Sequence, residues 1–358
     1  MRILHMIPDI SVSNGILSVI LNYAKAMPEG IVFDVVYFAE KPQTRQADIE
    51  ALGGRVYKID APSPKTAVRR DMDKFFKEHS GEWSALHIHA PHFAVFIAPF
   101  AKKAGIKKIC RHCHSTTFSL DEANIKRNAM LTKLGAPFCS QSFACSDAAG
   151  KYWYGSGFAV LNNAIDCRSY AFDEAKRNKT RAALGLGDGD FAVGHIGRTD
   201  VAQKNHPFIL EVFSEIKKKN KSARLFLIGA EPTDETTALC KKYGITESVE
   251  FLGMRSDVPS LLQGLDVFLF PSTSEGLPVS VIEAQASGLP VIMSEAVTEE
   301  AAVTPEVTRL SLALGAEKWA QAVLTGAENQ RKNNFELMKA AGWDIFSAAQ
   351  TLTDYYRG

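Results

Sequence analysis

Twice along this 358-residue chain, short β-rich apolar runs alternate with amphipathic helical stretches, and this rhythm constrains the fold more than any other feature. The first series runs MRILHMI, a helix from about Gly15 to Met27, FDVVYF, a helix through Gln46 to Leu52, and RVYKI. A helix near Thr66 to Glu78, the strand ALHIHA, a helix to Lys103 and the strand KKICRHCH continue it. The second series begins after the charged stretch Asp173 to Arg181. It runs FAVGHIG, a helix from about Pro207 to Lys219, ARLFLIG, a helix through Cys240, VEFLG and a short helix near Val258 to Leu262, and ends on a further apolar run. Strands separated by helices pair in parallel, with helices on both faces of the sheet. The expected fold class is therefore α/β, with two doubly wound, Rossmann-like domains over residues 1–170 and 171–342. Ligands of such sheets bind at the carboxyl ends of the strands, so a cleft between two facing sheets is the expected site.

The most pointed stretch is Phe268 to Met293, FLFPSTSEGLPVSVIEAQASGLPVIM. Val267 to Phe270 reads as a buried strand, Pro271 to Gly276 as a turn, and Pro278 as a residue suited to the first turn of a helix. Gly288 stops that helix, and Leu289 to Met293 resumes a strand. Orphan amides and the positive dipole end near Gly276, Leu277 and Pro278 make a ready phosphate site. Two carboxylates flank the turn, eight positions apart. Glu283, one to two turns into the helix, can accept from both hydroxyls of a ribose, as the acidic residue of a dinucleotide-binding fold does. Glu275, on the loop, can accept from the hydroxyls of a sugar beyond the diphosphate. Together they outline a nucleotide sugar.

Cations stand at the matching edge. Gly197-Arg198 ends the first strand of the second series, and Lys204 follows six positions after Arg198. A guanidinium and an ammonium there neutralise a diphosphate and stabilise the charge that grows as it departs. In the first series, Gly15 lies where the leading strand turns into a helix, and a residue without a side chain lets backbone amides approach a ligand. His114 falls at the carboxyl end of a strand, the edge that faces the expected cleft; His112 is its competitor if the register is shifted by two.

The Glu-x7-Glu segment, with its Ser-Glu-Gly-Leu-Pro turn and Gly-Leu-Pro-Val stop, resembles the retaining glycosyltransferases of family 4, which have the GT-B fold of two facing Rossmann-like domains. The resemblance spans the chain and is strongest from Gly194 to Met293. It implies transfer of a hexose from a nucleotide sugar, expected to be a UDP-sugar, with retention; the leaving diphosphate takes the acceptor's proton, so neither a protein base nor a divalent metal is expected. Carried over by resemblance, Gly197, Arg198 and Lys204 clamp the diphosphate, His114 lies near the reacting sugar, and Arg255 to Val258 frame the base through backbone groups. The last segment, Trp343 to Tyr356, would cross back to complete the first domain. Asn163-Ala164-Ile165-Asp166 resembles the turn that closes the first domain. Two departures stand out: Asn14-Gly15-Ile16 where relatives often carry two glycines, and Lys204-Asn205-His206 where many have Lys-Gly. Within the family the chain looks most like bacterial exopolysaccharide and capsule transferases, which implies a glycan or lipid-diphosphate-linked acceptor at the inner membrane face. A nucleotide-sugar 2-epimerase and a non-catalytic nucleotide-sugar sensor are the rival readings. A nicotinamide dehydrogenase is disfavoured, because no Gly-x-Gly-x-x-Gly follows either leading strand.

Composition narrows the classes further. Apolar residues make up 46% and charged residues 23%, the balance of a soluble globular protein. No apolar run reaches the roughly 18 residues of a membrane span, and MRILHMIPDI meets aspartate too early for a signal peptide, so a cytoplasmic protein is expected. Six scattered cysteines point to reduced thiols. Cys110-Arg111-His112-Cys113-His114 spells a covalent haem motif, but it sits in an apparent core strand. Residues 1–170 hold 21 Lys+Arg against 15 Asp+Glu, and the remainder 20 against 25. This asymmetry makes Lys102, Lys103, Lys107, Lys108, Lys126, Arg127 and Lys133 candidates for contact with an anionic membrane, and no nucleic-acid partner is expected.

Overall fold

The structure is a computed structural model that describes residues 1–119, 121–275, 277–328 and 331–358. Two units divide the chain: Met1–Ile165 with Asp344–Gly358, and Asp166–Trp343. No helix among the described residues is long and apolar enough to cross a membrane.

The first unit is built on seven parallel strands, β1 (Arg2–Met6), β2 (Val32–Tyr37), β3 (Val56–Lys58), β4 (Ala85–Ile88), β5 (Lys108–Cys113), β6 (Gln141–Ala144) and β7 (Ala159–Val160), in the order β3-β2-β1-β4-β5-β6-β7. The order reverses beside β1, as in doubly wound sheets. Alternation within each strand supplies both faces: Ile3, Phe33 and Val35 belong to one core cluster, Leu4, Met6 and Val36 to the other. The first cluster is closed by Gly15–Ala26 and by the last helix, Ile345–Arg357, whose Ile345, Ala349, Leu352 and Tyr356 are buried. Lys108 Nζ donates to the carbonyls of Tyr355 and Tyr356 at 3.0 and 3.1 Å, so it ties down this helix and is withdrawn from the expected membrane-facing set. Cys110 and Cys113 are buried within β5, which is a core strand.

The second unit carries six parallel strands, β8 (Phe191–Ile196), β9 (Ala223–Ile228), β10 (Val249–Gly253), β11 (Val267–Phe270), β12 (Val291–Ser294) and β13 (Val307–Leu310), in the order β10-β9-β8-β11-β12-β13. Here too the order reverses at the leading strand, between β8 and β11. Val193, Leu225, Val267 and Leu269 face one core, and Ala192, Phe226, Phe268 and Phe270 face the other. Gly194 is demanded by that packing, because a Cβ there would stand 2.1 Å from Leu265 Cδ1.

Candidate active site

The loops that leave β8 and β11 meet at the switch point of the second unit. Thr273 N donates to Gln203 O at 2.9 Å, and Asn205 Nδ2 donates to Pro271 O at 3.1 Å. Between these backbone ties, Lys204 Nζ stands 2.8 Å from Glu275 Oε1, with both side chains about four-fifths buried, and 4.9 Å from the centre of the Phe270 ring. Gly197 makes this possible: a Cβ there would lie 2.9 Å from Lys204 Cγ and Cδ and 2.6 Å from His195 Nε2. Lysine and glutamate, expected to serve diphosphate and sugar separately, are thus partners of each other. Arg198 lies beside them in sequence but is half exposed, with Nε 3.1 Å from Asp200 Oδ1. Asn205 takes the left-handed conformation, φ 59°, and is the single non-glycine with positive φ among the described residues. Asparagine tolerates that region better than other side chains, so it fills the place of the glycine in the Lys-Gly pattern.

Glu283 lies on the helix Val279–Ala286, which follows β11. Pro278 caps this helix with φ −73° and ψ 112°, so the helix starts one residue later than the sequence suggested. Burial pushes the Glu283 carboxyl up from its ordinary range, and a hydrogen bond from Tyr170 Oη to Oε1, 2.7 Å, opposes that shift. Sequence reading missed Tyr170. It ends a four-residue helix, Cys167–Tyr170, and sits 113 positions before its partner, where no local pattern announces it.

The remaining candidates differ in what they offer. Leu277 and Val258 are partly buried and pack against the second unit's core. Arg255 is committed to a two-pronged pair with Asp257, 2.8 and 2.7 Å, at the surface. At Gly15 the amides of Ile16 and Leu17 already bond the Asn14 side chain at 2.9 and 3.2 Å, and a Cβ on Gly15 would meet nothing within 4 Å. The helix start is therefore capped at the amides of Ile16 and Leu17 by its own N-cap side chain. Gly276 lies outside the described residues.

In the first unit, His114 joins a chain of imidazoles. Its Nδ1 is 3.1 Å from Asn163 Oδ1, its Nε2 is 2.8 Å from His89 Nδ1, and His89 Nε2 is 2.9 Å from His5 Nδ1. Since Asn163 Oδ1 can only accept, His114 Nδ1 donates, and each ring in turn must be a neutral Nδ1–H tautomer. His87 stacks on His89 at 4.4 Å and meets Tyr356 Oη at 2.6 Å, while the His112 ring lies tilted by 35° against His114 at 4.1 Å. Burial pushes His5 down to about 3 and His114 to about 4, and lowers His87, His89 and His112 in the same direction. Two triplets, His5 with His87 and His89, and His89 with His112 and His114, bring one nitrogen each within 4.8 Å of the others. The rings of His5, His87 and His89 stack within 10–26° of parallel and do not converge their lone pairs on one point, and the nitrogens linking His5, His89 and His114 already bond each other, so the geometry describes a neutral cluster. His114 stands at its outer end, partly exposed, with both nitrogens engaged.

Known proteins share these features. Residues 190–329, which contain every second-unit site residue named above except Tyr170, match the family described as Glycosyl transferases group 1. The "Putative glycosyltransferase EpsF" of Bacillus subtilis (strain 168) is 30% identical over 372 residues, covering 99% of this chain and 96% of that protein. Among solved structures, HepE of Anabaena in complex with UDP superposes with a TM-score of 0.80 at 18% identity, covering 99% of each chain. A glycosyltransferase from Rickettsia africae superposes at 0.77 with 14% identity, covering 99% of this chain and 97% of that one. The fold is GT-B, and with a relative of this identity along nearly its whole length, the chain belongs to the group 1 glycosyltransferases.

Proposed function

We propose that the chain moves a hexose, with retention, from a UDP-sugar to a hydroxyl of a glycan or lipid-diphosphate-linked acceptor in exopolysaccharide or capsule assembly. The observation that carries this reading is the Lys204–Glu275 pair at the β8/β11 switch point. A nucleotide sugar brings a diphosphate for the cation and hydroxyls for the carboxylate, so each exchanges one partner for another and neither is left unpaired. Arg198, turning from Asp200, joins Lys204 in balancing the charge that develops on the leaving diphosphate. The bond from the anomeric carbon to the diphosphate breaks as the acceptor oxygen bonds to that carbon on the same face. The diphosphate takes the acceptor proton, and no divalent ion enters the step. His114 contributes as a neutral ring. UDP as the carrier is supported by the UDP complex of HepE, and the exopolysaccharide role by the likeness to EpsF.

Docking on the cytoplasmic face of an anionic membrane fits the helix Glu122–Gly135 of the first unit. Met130 and Leu134, one turn apart, are 55% and 53% exposed, among the exposed cations Lys126, Arg127 and Lys133.

A thermal-shift screen against UDP, GDP, ADP and their hexose conjugates tests the donor site. The UDP series should stabilise the wild type and not Glu283→Ala; no shift with any nucleotide in folded protein would sink the reading. Proton NMR of slow donor hydrolysis tests the stereochemistry. The first sugar released should keep the donor's anomeric configuration, an inverted sugar would contradict retention, and a C2 epimer formed without acceptor would mark an epimerase.

A further inference from the structure

Tyr170 lies just past the point where the chain enters the second unit, in a segment held from several sides. Asp166 caps its short helix by accepting from the amides of Arg168 and Ser169. Gln263, fully buried, donates to Tyr170 O at 2.8 Å and accepts from Asp173 N at 3.1 Å, so one amide group clamps the chain on both sides of Phe172. The Arg331 guanidinium lies 4.3 Å over the Phe172 ring and donates to the backbone carbonyl of Gln263 at 2.5 Å. The phenol at the end of this hydrogen-bonded segment is a donor, because burial and the neighbouring Glu283 push its ionisation upwards. Its acceptor is Glu283 Oε1, and Oε2 has no hydrogen-bond partner among the described residues.

A glutamate on a helix surface otherwise samples several rotamers, and a hydrogen bond from an immobile phenol removes that freedom before a ligand arrives. We propose that Tyr170 is a positioning residue for the nucleotide's ribose: it fixes Glu283 through Oε1, leaves Oε2 for the ribose hydroxyls, and so makes the site select ribonucleoside over deoxyribonucleoside diphosphates. A ligand without those hydroxyls leaves a fixed, partly buried carboxylate oxygen unmatched, whereas a mobile carboxylate turns away to water. The inference rests on the reading of Glu283 as the ribose contact.

Titration calorimetry with UDP and 2′,3′-dideoxy-UDP tests it on wild type, Tyr170→Phe, Tyr170→His and Glu283→Gln. The wild type should prefer UDP by tenfold or more, the effect of about one good hydrogen bond to a charged group. Tyr170→Phe should lose about that factor for UDP and little for the dideoxy form, so the preference collapses. A phenol that served only the fold would weaken both ligands alike, and a Tyr170→Phe protein with the wild-type preference would overturn the proposal. Tyr170→His keeps a ring and an N–H donor and should restore part of the preference. It also supplies the answer if the phenylalanine variant folds poorly, since a folded histidine variant with no preference would overturn the proposal. The double variant with Glu283→Gln should show no further loss of preference. A wild type that binds both ligands equally would overturn the ribose reading of Glu283 itself, and this positioning role with it.

Discussion

At the scale of single residues, the site depends on two positions that carry no chemistry of their own. Gly197 gives the Lys204 stem the surface it lies on, and an added methyl would have to displace that stem or the buried His195 ring. Gly197→Ala should therefore leave the protein folded while lowering donor affinity about tenfold or more, as expected when a buried charged contact is misplaced; calorimetry beside a melting curve separates the two effects. Unchanged affinity would count against the proposed contact of Lys204 with the diphosphate. Asn205 then turns the chain through the left-handed region between the short helical turn Ala202–Lys204 and the following helix, His206–Lys219.

At the scale of elements, most of the architecture could be read from the chain because each strand and helix carries its own period and its own breaker. Thr66–Glu78 occurs with the bounds its pattern suggests, and β11, the helix Val279–Ala286 and β12 follow the order that Pro271, Pro278 and Gly288 impose. What stayed hidden is contact between elements remote in sequence. The histidine stack did leave a trace: His87-x-His89 and His112-x-His114 run off the ends of adjacent strands with the spacing of two that sends alternate side chains to one face, and His5 pairs in register with His87. Tyr170 left none, since a four-residue helix has no periodicity to read. The last helix also shows what an element contributes beyond its own hydrogen bonds. Tyr356 is 2% exposed, packs edge-on to Phe33 and meets His87. Tyr356→Ala should cost about 3–5 kcal/mol, by analogy with other large buried aromatics, seen as a lower urea midpoint. A midpoint equal to wild type would mean that the helix is dispensable to the first unit.

At the scale of the whole molecule, stability should depend on pH through the imidazoles of the first unit. Unfolded histidines take up protons near pH 6.5, whereas the folded His5 and His114 do so only near 3 and 4. Below about 6.5 the unfolded chain therefore binds more protons, and stability falls as pH drops towards 4, by about 1.4 kcal/mol per pH unit for each such histidine. Above 6.5 this contribution is fully present. Urea unfolding at pH 7.5 and pH 5 checks the sign, and equal midpoints would show that the stack titrates as free histidine does. The chain's route has a separate consequence. Ile165 forms a parallel bridge with Asp344, and Ile345 N bonds Ile165 O at 2.8 Å, so the residues bracketing the second unit are neighbours. Such a unit behaves as an insertion between two adjacent points of its host. A recombination event, natural or engineered, can therefore exchange it between relatives as one cassette without rebuilding the first unit.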